Sequence, residues 1–343
     1  MDFPRSVLIG HDALSKVAEV CNTLRFGKNG ISVTGKDTYE AAGKEVEATM
    51  SKDFDVRTIL TGGATRSNVD DVCEAIEEHK ASFILAIGGG SKIDISKMAA
   101  ARMDIPFLSI PTSVSHDGIA SDRASLKSDT GSRSVEAVSP IGIIADTGVI
   151  AKAPYRFLSA GCADVISNLT ALKDWEFAAM MRNEELSSSA CIISKYAAEN
   201  IISNCDMIRP GYEESVWFVM RPIVASGVSM CIAGNSRPTS GSEHMFSHAL
   251  DVIRPDTALH GEQCGVGAIM MMHLHRGDWK HIRSALSSIG APVTAEGLGF
   301  TEDEIVEALV MAKDIRKDRF TILGENGLTD SAARKLARET NVI

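Results

Sequence analysis

Five of the nine histidines fall in one stretch, GSEHMFSHALDVIRPDTALHGEQCGVGAIMMMHLHRG, residues 241–277. His244 and His248 are four residues apart and so share one face of a helix. His260 follows twelve residues later, at the start of another apolar helix. Two or three histidines with a carboxylate and an open position form the ligand pattern of a catalytic metal. The motif is not HExxH, because in HGEQC Glu262 lies two residues after His260. The carboxylate must therefore come from elsewhere in the chain. Asp164, in AGCADVISNLTALKDW, lies beside an apolar stripe of Val165, Ile166, Leu169 and Leu172. A buried carboxylate there needs a partner such as a metal. It could equally be a helix N-terminal charge favoured by the macrodipole. On residues alone Asp164 stands level with Asp174 and Asp251. The other histidines read as ordinary. His273 and His275 are two apart and cannot share a face. His79, in EEHK, reads as solvated, and His11, in GHDALS, as a helix start. Met270 to Met272 read as core.

A second piece of chemistry sits in SFILAIGGGSKIDISKMAAARM, where an apolar strand runs into Gly88-Gly89-Gly90-Ser91 and then a helix. Glycines let backbone approach a ligand closely, and a helix N-terminus offers N–H groups and partial positive charge to a phosphate. The string is neither GxGxxG nor a P-loop. Its bland reading is a tight strand-to-helix turn, although three consecutive glycines exceed what a turn needs. Downstream, PFLSIPTSVSHDGIASDRASL places Thr112, Ser113, Ser115, Asp117 and Ser121 just past another strand. Ligands of open α/β sheets bind at the carboxyl ends of strands, and small hydroxyls there can bond phosphate or ribose. Alone, that loop reads more simply as one that satisfies its own backbone.

Both pieces must be positioned by a scaffold that the hydrophobic pattern makes visible. Short β-branched runs at Val7–Ile9, Ile31–Thr34, Val56–Leu60, Phe83–Ile87, Phe107–Ile110 and Ile141–Ala145 alternate with helical segments such as Ala13–Leu24 and Asn68–His79. This alternation predicts a parallel sheet with helices on both faces. One insertion, LKSDTGSRSVEAV at 126–138, reads as a hairpin with its turn at Asp129-Thr130-Gly131. Beyond residue 154 the pattern turns helical, at 155–181, 185–205, 213–233, 258–275, 278–289, 301–314 and 330–340. We therefore expect an α/β domain over 1–154 and an all-helical domain over 155–343. The 343 residues are 44% hydrophobic and 23% charged, ordinary proportions for a folded protein. Lys and Arg total 35 against 45 acidic residues, a net charge of −10, and aromatics are 5%. A nucleic-acid partner is disfavoured on both counts. The seven cysteines form no CxxC pair and read as reduced thiols. With no signal peptide and no uninterrupted apolar run of membrane-spanning length, stable membrane insertion is not expected, and the chain reads as cytoplasmic.

Together these strings resemble the iron/zinc-dependent polyol dehydrogenase superfamily, which includes dehydroquinate synthase. Within it they are most similar to the archaeal-type sn-glycerol-1-phosphate dehydrogenases. The likeness runs through GGGSKID at 88–94, PTSVSHDGIASDRASL at 111–126, AGCAD at 160–164, SGSEHMFSHALD at 240–251 and HGEQCGVG at 260–267, in the family's order and spacing. It implies a Rossmann-like NAD(P)-binding domain, a helical metal- and substrate-binding domain, and a cleft between them. It implies reduction of dihydroxyacetone phosphate to sn-glycerol 1-phosphate with NAD(H) or NADP(H), for the phospholipids of archaea. By motif, one zinc ion falls to Asp164, His244 and His260. Asp117, Asp164 and His248 become substrate-binding and catalytic residues. The nucleotide falls to Gly88, Gly89, Gly90, Ser91, Lys92, Ile93, Asp94, Thr112, Ser113, Val114, Ser115 and Ser121. Zinc would polarise the carbonyl, the nicotinamide would deliver hydride, and a proton would arrive through His248 or an ordered water. Asp117 would orient a substrate hydroxyl. The family likeness also suggests a homo-oligomer.

Cofactor choice has one local clue, VTGKDTYEAAG after the second strand. Gly35 stands where related dehydrogenases place an acid for the ribose hydroxyls, and Lys36 follows, so a 2′-phosphate is expected to be tolerated. Three competing readings remain at this level. They are a glycerol dehydrogenase acting on the unphosphorylated substrate, a dehydroquinate synthase-like lyase, and a nucleotide-binding protein with a structural metal. The SEHMFSHALD string favours the phosphate enzyme. The lyase would need more basic residues around a bulky carboxylated substrate, and a structural zinc normally has four protein ligands.

Overall fold

The computed structural model describes residues 3–128 and 131–343. The chain divides into two compact units. One comprises Met1–Tyr155 with Pro210–Met220, the other Arg156–Arg209 with Arg221–Ile343.

The first unit is built on six parallel strands. They are β1 (Ser6–Gly10), β2 (Asn29–Thr34), β3 (Asp55–Leu60), β4 (Ile84–Gly88), β5 (Phe107–Pro111) and, after a hairpin, β8 (Gly142–Asp146). Their order is β1-β8-β5-β4-β2-β3. All six apolar runs of the sequence appear as strands. The inner strands ILAIG, FLSIP and GIIAD are buried at every position, whereas the edge strand DVRTIL mixes exposed and half-buried residues. Strands covered on both faces need continuous apolar sequence, and an edge does not. The hairpin strands β6 (Arg123–Ser128) and β7 (Gly131–Glu136) pair antiparallel in a separate sheet. The expected turn at Asp129-Thr130 lies outside the described residues.

One face of the sheet closes on a core that includes Leu14, Val17, Val46, Met50, Phe83, Leu85, Leu108 and Ile144. Phe83 is its centre. Its ring stacks on Phe26 at 4.7 Å and meets Phe54 edge-on at 5.8 Å. Gly30 carries no side chain because a Cβ there would overlap the Phe83 ring. Asp146, at the end of β8, serves two neighbours at once. It accepts from the Val149 N–H (3.1 Å), capping helix Thr147–Lys152, and from the Leu14 N–H (3.2 Å). The segment 210–220 joins this unit through Glu213, whose carboxylate accepts from the Thr147 hydroxyl and lies 3.0 Å from His11 Nδ1. His79 is not solvated as its setting in EEHK implied. It closes helix Arg66–His79, half-buried, with Nε2 3.1 Å from the Asp55 carbonyl and its own carbonyl accepting from Asn29.

The second unit is helical. Its principal helices are Tyr155–Arg182, Ser188–Ser203, Ser242–Ile253, His260–Leu274, Trp279–Ser288, Glu302–Ile315 and Asp330–Glu339, with the later turns of Glu213–Ala233. Their starts follow from local chemistry. Thr301 and Glu304 form a reciprocal cap, Thr301 N–H to Glu304 Oε2 at 2.7 Å and Glu304 N–H to Thr301 Oγ1 at 3.2 Å. Helix His260–Leu274 is buried at every residue from Gly261 to Met272, which accounts for its mostly apolar sequence beyond the first turn. Among the described residues one helix, Glu213–Ala233, is long and apolar enough to cross a membrane, and 61% of its most apolar window is buried within the protein.

Because Phe83 joins the sheet to two other rings, Phe83→Ala should destabilise the protein by about 3–5 kcal/mol in a denaturant titration.

Candidate active site

Asp164 lies midway along helix Tyr155–Arg182, His244 and His248 on helix Ser242–Ile253, and His260 opens helix His260–Leu274. The histidine helices meet the aspartate because one of them has no side chains where it must touch. A Cβ on Gly261 would overlap the Ala160 carbonyl and stand 3.1 Å from Asp164 Cβ. One turn on, a Cβ on Gly265 would lie 3.0 Å from Ala163 Cβ. A Cβ on Gly267 would lie 3.0 Å from the Glu243 carbonyl and from the Phe246 ring. Glycine at these positions lets the His260 helix approach the backbone of both neighbours.

Polar anchors fix the helix ends. Arg156 grips Glu262 with two bonds of 2.6 and 2.7 Å, and Glu262 Oε2 also accepts from the Leu259 N–H at 2.9 Å. Asp174 is fully buried. It accepts from the Ser242 N–H and hydroxyl, both at 2.6 Å, and from the Ile322 N–H at 2.7 Å, and it lies 2.9 Å from His275 Nε2. It thereby holds the first turn of the His244 helix, and His275, read as ordinary from spacing, is one of its partners.

The result is a tight group of donors. His244 Nε2 lies 3.7 Å and His260 Nε2 3.8 Å from Asp164 Oδ1. Cys264 Sγ stands 3.5 Å from His260 Nε2, and one donor atom from each of Asp164, His244, His260 and Cys264 falls within 4.8 Å of the others. Of the three aspartates left level by the sequence, Asp164 is the one that stands with the histidines. Asp174 serves Ser242, and Asp251 accepts from Gln263 Nε2 at 3.1 Å.

Outer neighbours set which ring nitrogen faces the group. Glu243 Oε1 lies 2.9 Å from His244 Nδ1. Ser247 donates its hydroxyl proton to Gln263 Oε1 at 2.6 Å, so its oxygen is free to accept from His260 Nδ1 at 3.0 Å. Each imidazole thus carries its proton on Nδ1 and turns the Nε2 lone pair toward Asp164. Burial, followed by the neighbouring charge of His260, holds His244 and His248 well below the usual histidine value. Arg316 and Arg319 push in the same direction. Burial and the nearby Asp174 raise Glu243 to about 7. Two imidazoles and a carboxylate, already oriented by outer hydrogen bonds, suit a divalent cation. His248 stacks on His260 at 5.7 Å between ring centroids, and its buried Nδ1 has no hydrogen-bond partner among the described residues.

Sequence reasoning missed Cys264, Glu243 and Ser247. Cys264 was signalled by its place four residues after His260 in HGEQC, one helical turn away. Glu243 and Ser247 carried no such signal, because each acts through a histidine rather than beside it.

In the first unit the two polar loops interlock. Gly88 adopts a φ of 154°, a value that favours glycine, and Gly89 starts helix Gly90–Met103 with no side-chain cap over its N–H groups. The Thr112 N–H donates to the Gly88 carbonyl at 3.1 Å, and a Cβ on Gly89 would lie 2.9 Å from Ser113 Oγ. Val114 is buried, and Ser115 is half-buried beside it. The His116 ring fills the space above Gly90 and Gly118, and Asp117 opens the turn Asp117–Ile119. Lys97 is fully buried, and its ammonium donates to the Gly118 carbonyl, to Ser121 Oγ (3.2 Å) and to the Arg123 carbonyl (2.6 Å). Asp94 accepts from the Ser125 N–H at 3.1 Å. Ser91 and Lys36 are exposed, whereas Lys92 reaches past Gly35 to the Gly62 carbonyl.

Comparison with known proteins sets these features in a family. Residues 8–154 match the family model described as iron-containing alcohol dehydrogenase. A relative from Methanosarcina mazei, named glycerol-1-phosphate dehydrogenase [NAD(P)+], is 52% identical, covering 100% of this chain and 96% of its own. One of the same name from Methanothermobacter thermautotrophicus is 47% identical over 100% of this chain and 99% of its own. Among solved structures, a probable glycerol dehydrogenase from Sinorhizobium meliloti superposes with a TM-score of 0.82 at 16% identity, covering 99% of this chain and 97% of that one. The NADH-dependent butanol dehydrogenase A of Thermotoga maritima gives 0.76 at 16% identity, with 98% and 97% covered. The fold is that of the iron-containing alcohol dehydrogenases. The chain belongs to the glycerol-1-phosphate dehydrogenase family within that class.

Two outcomes follow from this geometry. Gly261→Ala should push the His260 helix off Ala160 and weaken metal retention by roughly 10- to 100-fold, the scale of a disturbed outer shell, as read by metal analysis after dialysis. In the chelated protein the folded state resists protonating His244 and His248, while the unfolded chain takes up protons near the ordinary value of 6.5. Stability is therefore lost as pH falls below that value. Urea titrations from about pH 7.5 to about pH 5.5 should show the decline, and His248→Gln should flatten it.

Proposed function

We propose that this protein is a zinc-dependent sn-glycerol-1-phosphate dehydrogenase that reduces dihydroxyacetone phosphate to sn-glycerol 1-phosphate with NAD(H) or NADP(H). The observation that carries this reading is the convergence of Asp164 with the Nε2 atoms of His244 and His260. It occurs in a chain about half identical, along its whole length, to relatives bearing that enzyme's name. An Asp/His set accepts iron or zinc, and zinc suffices because the nicotinamide carries the electrons.

Asp164, His244 and His260 hold the ion, with Glu243 and Ser247 keeping the two rings turned. When bound, the ion supplies Lewis acidity to the carbonyl and the nicotinamide supplies hydride. The proton that completes the alcohol arrives through His248 or an ordered water. Asp117 orients a substrate hydroxyl. The N–H groups at the start of helix Gly90–Met103, from Gly90 to Asp94, receive the pyrophosphate, with hydroxyls of Thr112, Ser113, Ser115 and Ser121 beside it. Lys97 is a positioning residue, since it fixes the loop that carries Asp117 and Ser121. Residues 1–154 thus serve the nucleotide, and residues 155–343 the metal and substrate. The product supplies the glycerophosphate of archaeal phospholipids. We also propose a cytoplasmic homo-oligomer with neither a nucleic-acid partner nor stable membrane insertion.

The test follows nicotinamide oxidation by zinc-loaded protein with dihydroxyacetone phosphate and dihydroxyacetone in parallel. Turnover of the phosphate ester to sn-glycerol 1-phosphate is expected. Preference for dihydroxyacetone, or no turnover of either, overturns the reading. His260→Ala should lose bound metal and turnover together, whereas His248→Ala should lose turnover while retaining most of its metal.

A further inference from the structure

Strands β4, β2 and β3 are neighbours in that order. Gly88 ends β4, Gly35 follows β2, and Gly62 lies two residues beyond β3. In folds of this kind the acid that holds an adenosine ribose follows the second strand. With a pyrophosphate at the start of helix Gly90–Met103, the adenosine half therefore lies over the end of β2.

One side chain of this unit follows the same path. Lys92 leaves the first turn of helix Gly90–Met103 with its Cγ 2.5 Å from where a Cβ on Gly88 would stand. Its Cε passes 2.8 Å, and its Nζ 3.6 Å, from where a Cβ on Gly35 would stand. The ammonium then donates to the Gly62 carbonyl. Lys92 thus crosses the ends of three strands in sheet order, and neither Gly88 nor Gly35 could carry a Cβ while it takes this course.

Lys92 is half-buried and forms no ion pair among the described residues. Burial alone pulls it below the usual lysine value. An ammonium in that setting, bonded to a neutral carbonyl, gains by meeting a phosphate. Around it, the end of β2 offers no carboxylate. Thr34 and Thr38 bond each other through their hydroxyls at 2.8 Å, and Thr38 Oγ1 also accepts from the Gly35 N–H at 2.8 Å. Lys36 and Asp37, the next charges along the chain, are exposed.

We propose that Lys92 reads the 2′ position of the adenosine ribose, exchanging the Gly62 carbonyl for the 2′-phosphate of NADP(H), and that residue 35 is glycine so that this side chain can cross. This rests on the reading that residues 1–154 bind a nicotinamide nucleotide. It moves cofactor choice from Lys36, in the loop after β2, to a residue of the helix that follows β4.

The experiment measures binding without turnover. Wild type, Lys92→Met and Lys36→Met, each checked by circular dichroism, are titrated calorimetrically with adenosine 2′,5′-bisphosphate and with adenosine 5′-monophosphate. Methionine keeps the stem over Gly88 and Gly35 and removes the charge. Wild type should favour the bisphosphate by about 10-fold or more, the scale of one charge-assisted hydrogen bond. Lys92→Met should lose most of that preference, and its ratio of NADPH to NADH affinity, read by nucleotide fluorescence, should fall by a similar factor. Lys36→Met should change the ratio by less than about threefold, as expected of an exposed charge. A preference that survives in folded Lys92→Met, one lost in Lys36→Met instead, or a wild type without any preference overturns the proposal. If Lys92→Met fails to fold, Lys92→Gln decides in its place. Wild type that binds the bisphosphate through Lys92 yet reduces no dihydroxyacetone phosphate would refute the proposed reaction while leaving the role of Lys92 standing.

Discussion

Asp164 and His260 belong to different helices, and they can face each other only where those helices touch backbone to backbone. Gly261 against the Ala160 carbonyl is that contact. Ordinary helix pairs keep their axes about 8–10 Å apart because side chains fill the seam. Here the His260 helix has glycines at 261, 265 and 267, aimed at the Asp164 helix in two cases and at the His244 helix in the third. The same helix is buried from Gly261 to Met272, and the polar side chains of its first turn, Glu262 and Gln263, are satisfied there by Arg156, Ser247 and Asp251. Three candidate metal-binding side chains from three helices therefore converge as a consequence of missing side chains as much as of present ones.

Convergence alone does not orient a ring. That task falls to groups outside the cluster of candidate ligand atoms. Glu243 and Ser247 each engage an Nδ1, and Gln263 passes the second link on to Asp251. Asp174 performs the matching service for the backbone by holding the first residue of the His244 helix. The buried acids in this region divide into those that face the site and those that hold what faces it. Burial raises Glu243, which moderates the negative charge stored so close to Asp164. In the other unit Lys97 plays the corresponding structural part, holding a polar loop that has little apolar surface of its own.

The scaffold was legible because its signals are local and periodic. Inner strands such as ILAIG and FLSIP read as strands since both faces are covered, and the long helix Tyr155–Arg182 was visible from its apolar spacing. His244 and His248 were legible as a pair because a helix turn brings residues four apart together. The choice of Asp164 over Asp174 and Asp251 was not legible from spacing. All three lie in helices with apolar neighbours, and only the packing around Gly261 separates them. His79 was misread because EEHK describes its helix but not the strand end beside it, where the Asp55 carbonyl waits. Arg319 stood in an unremarkable charged run, KDIRKDRF, and its anchoring role shows only once the segment is laid against Ser236 and Ser240.

Cys264 gives the site a different kind of vulnerability. A thiol 3.5 Å from His260 Nε2 adds one soft donor to an otherwise nitrogen-and-oxygen set. Thiophilic ions such as cadmium gain more from that neighbour than manganese or magnesium do. Burial keeps the sulfur protonated and slow to react while the helices stay closed. Should peroxide reach it, conversion to a sulfinate would install a hard, permanently charged oxyacid among the ligands. The close packing of the glycine-lined seam, which buries the thiol, is then also what protects the site from oxidation.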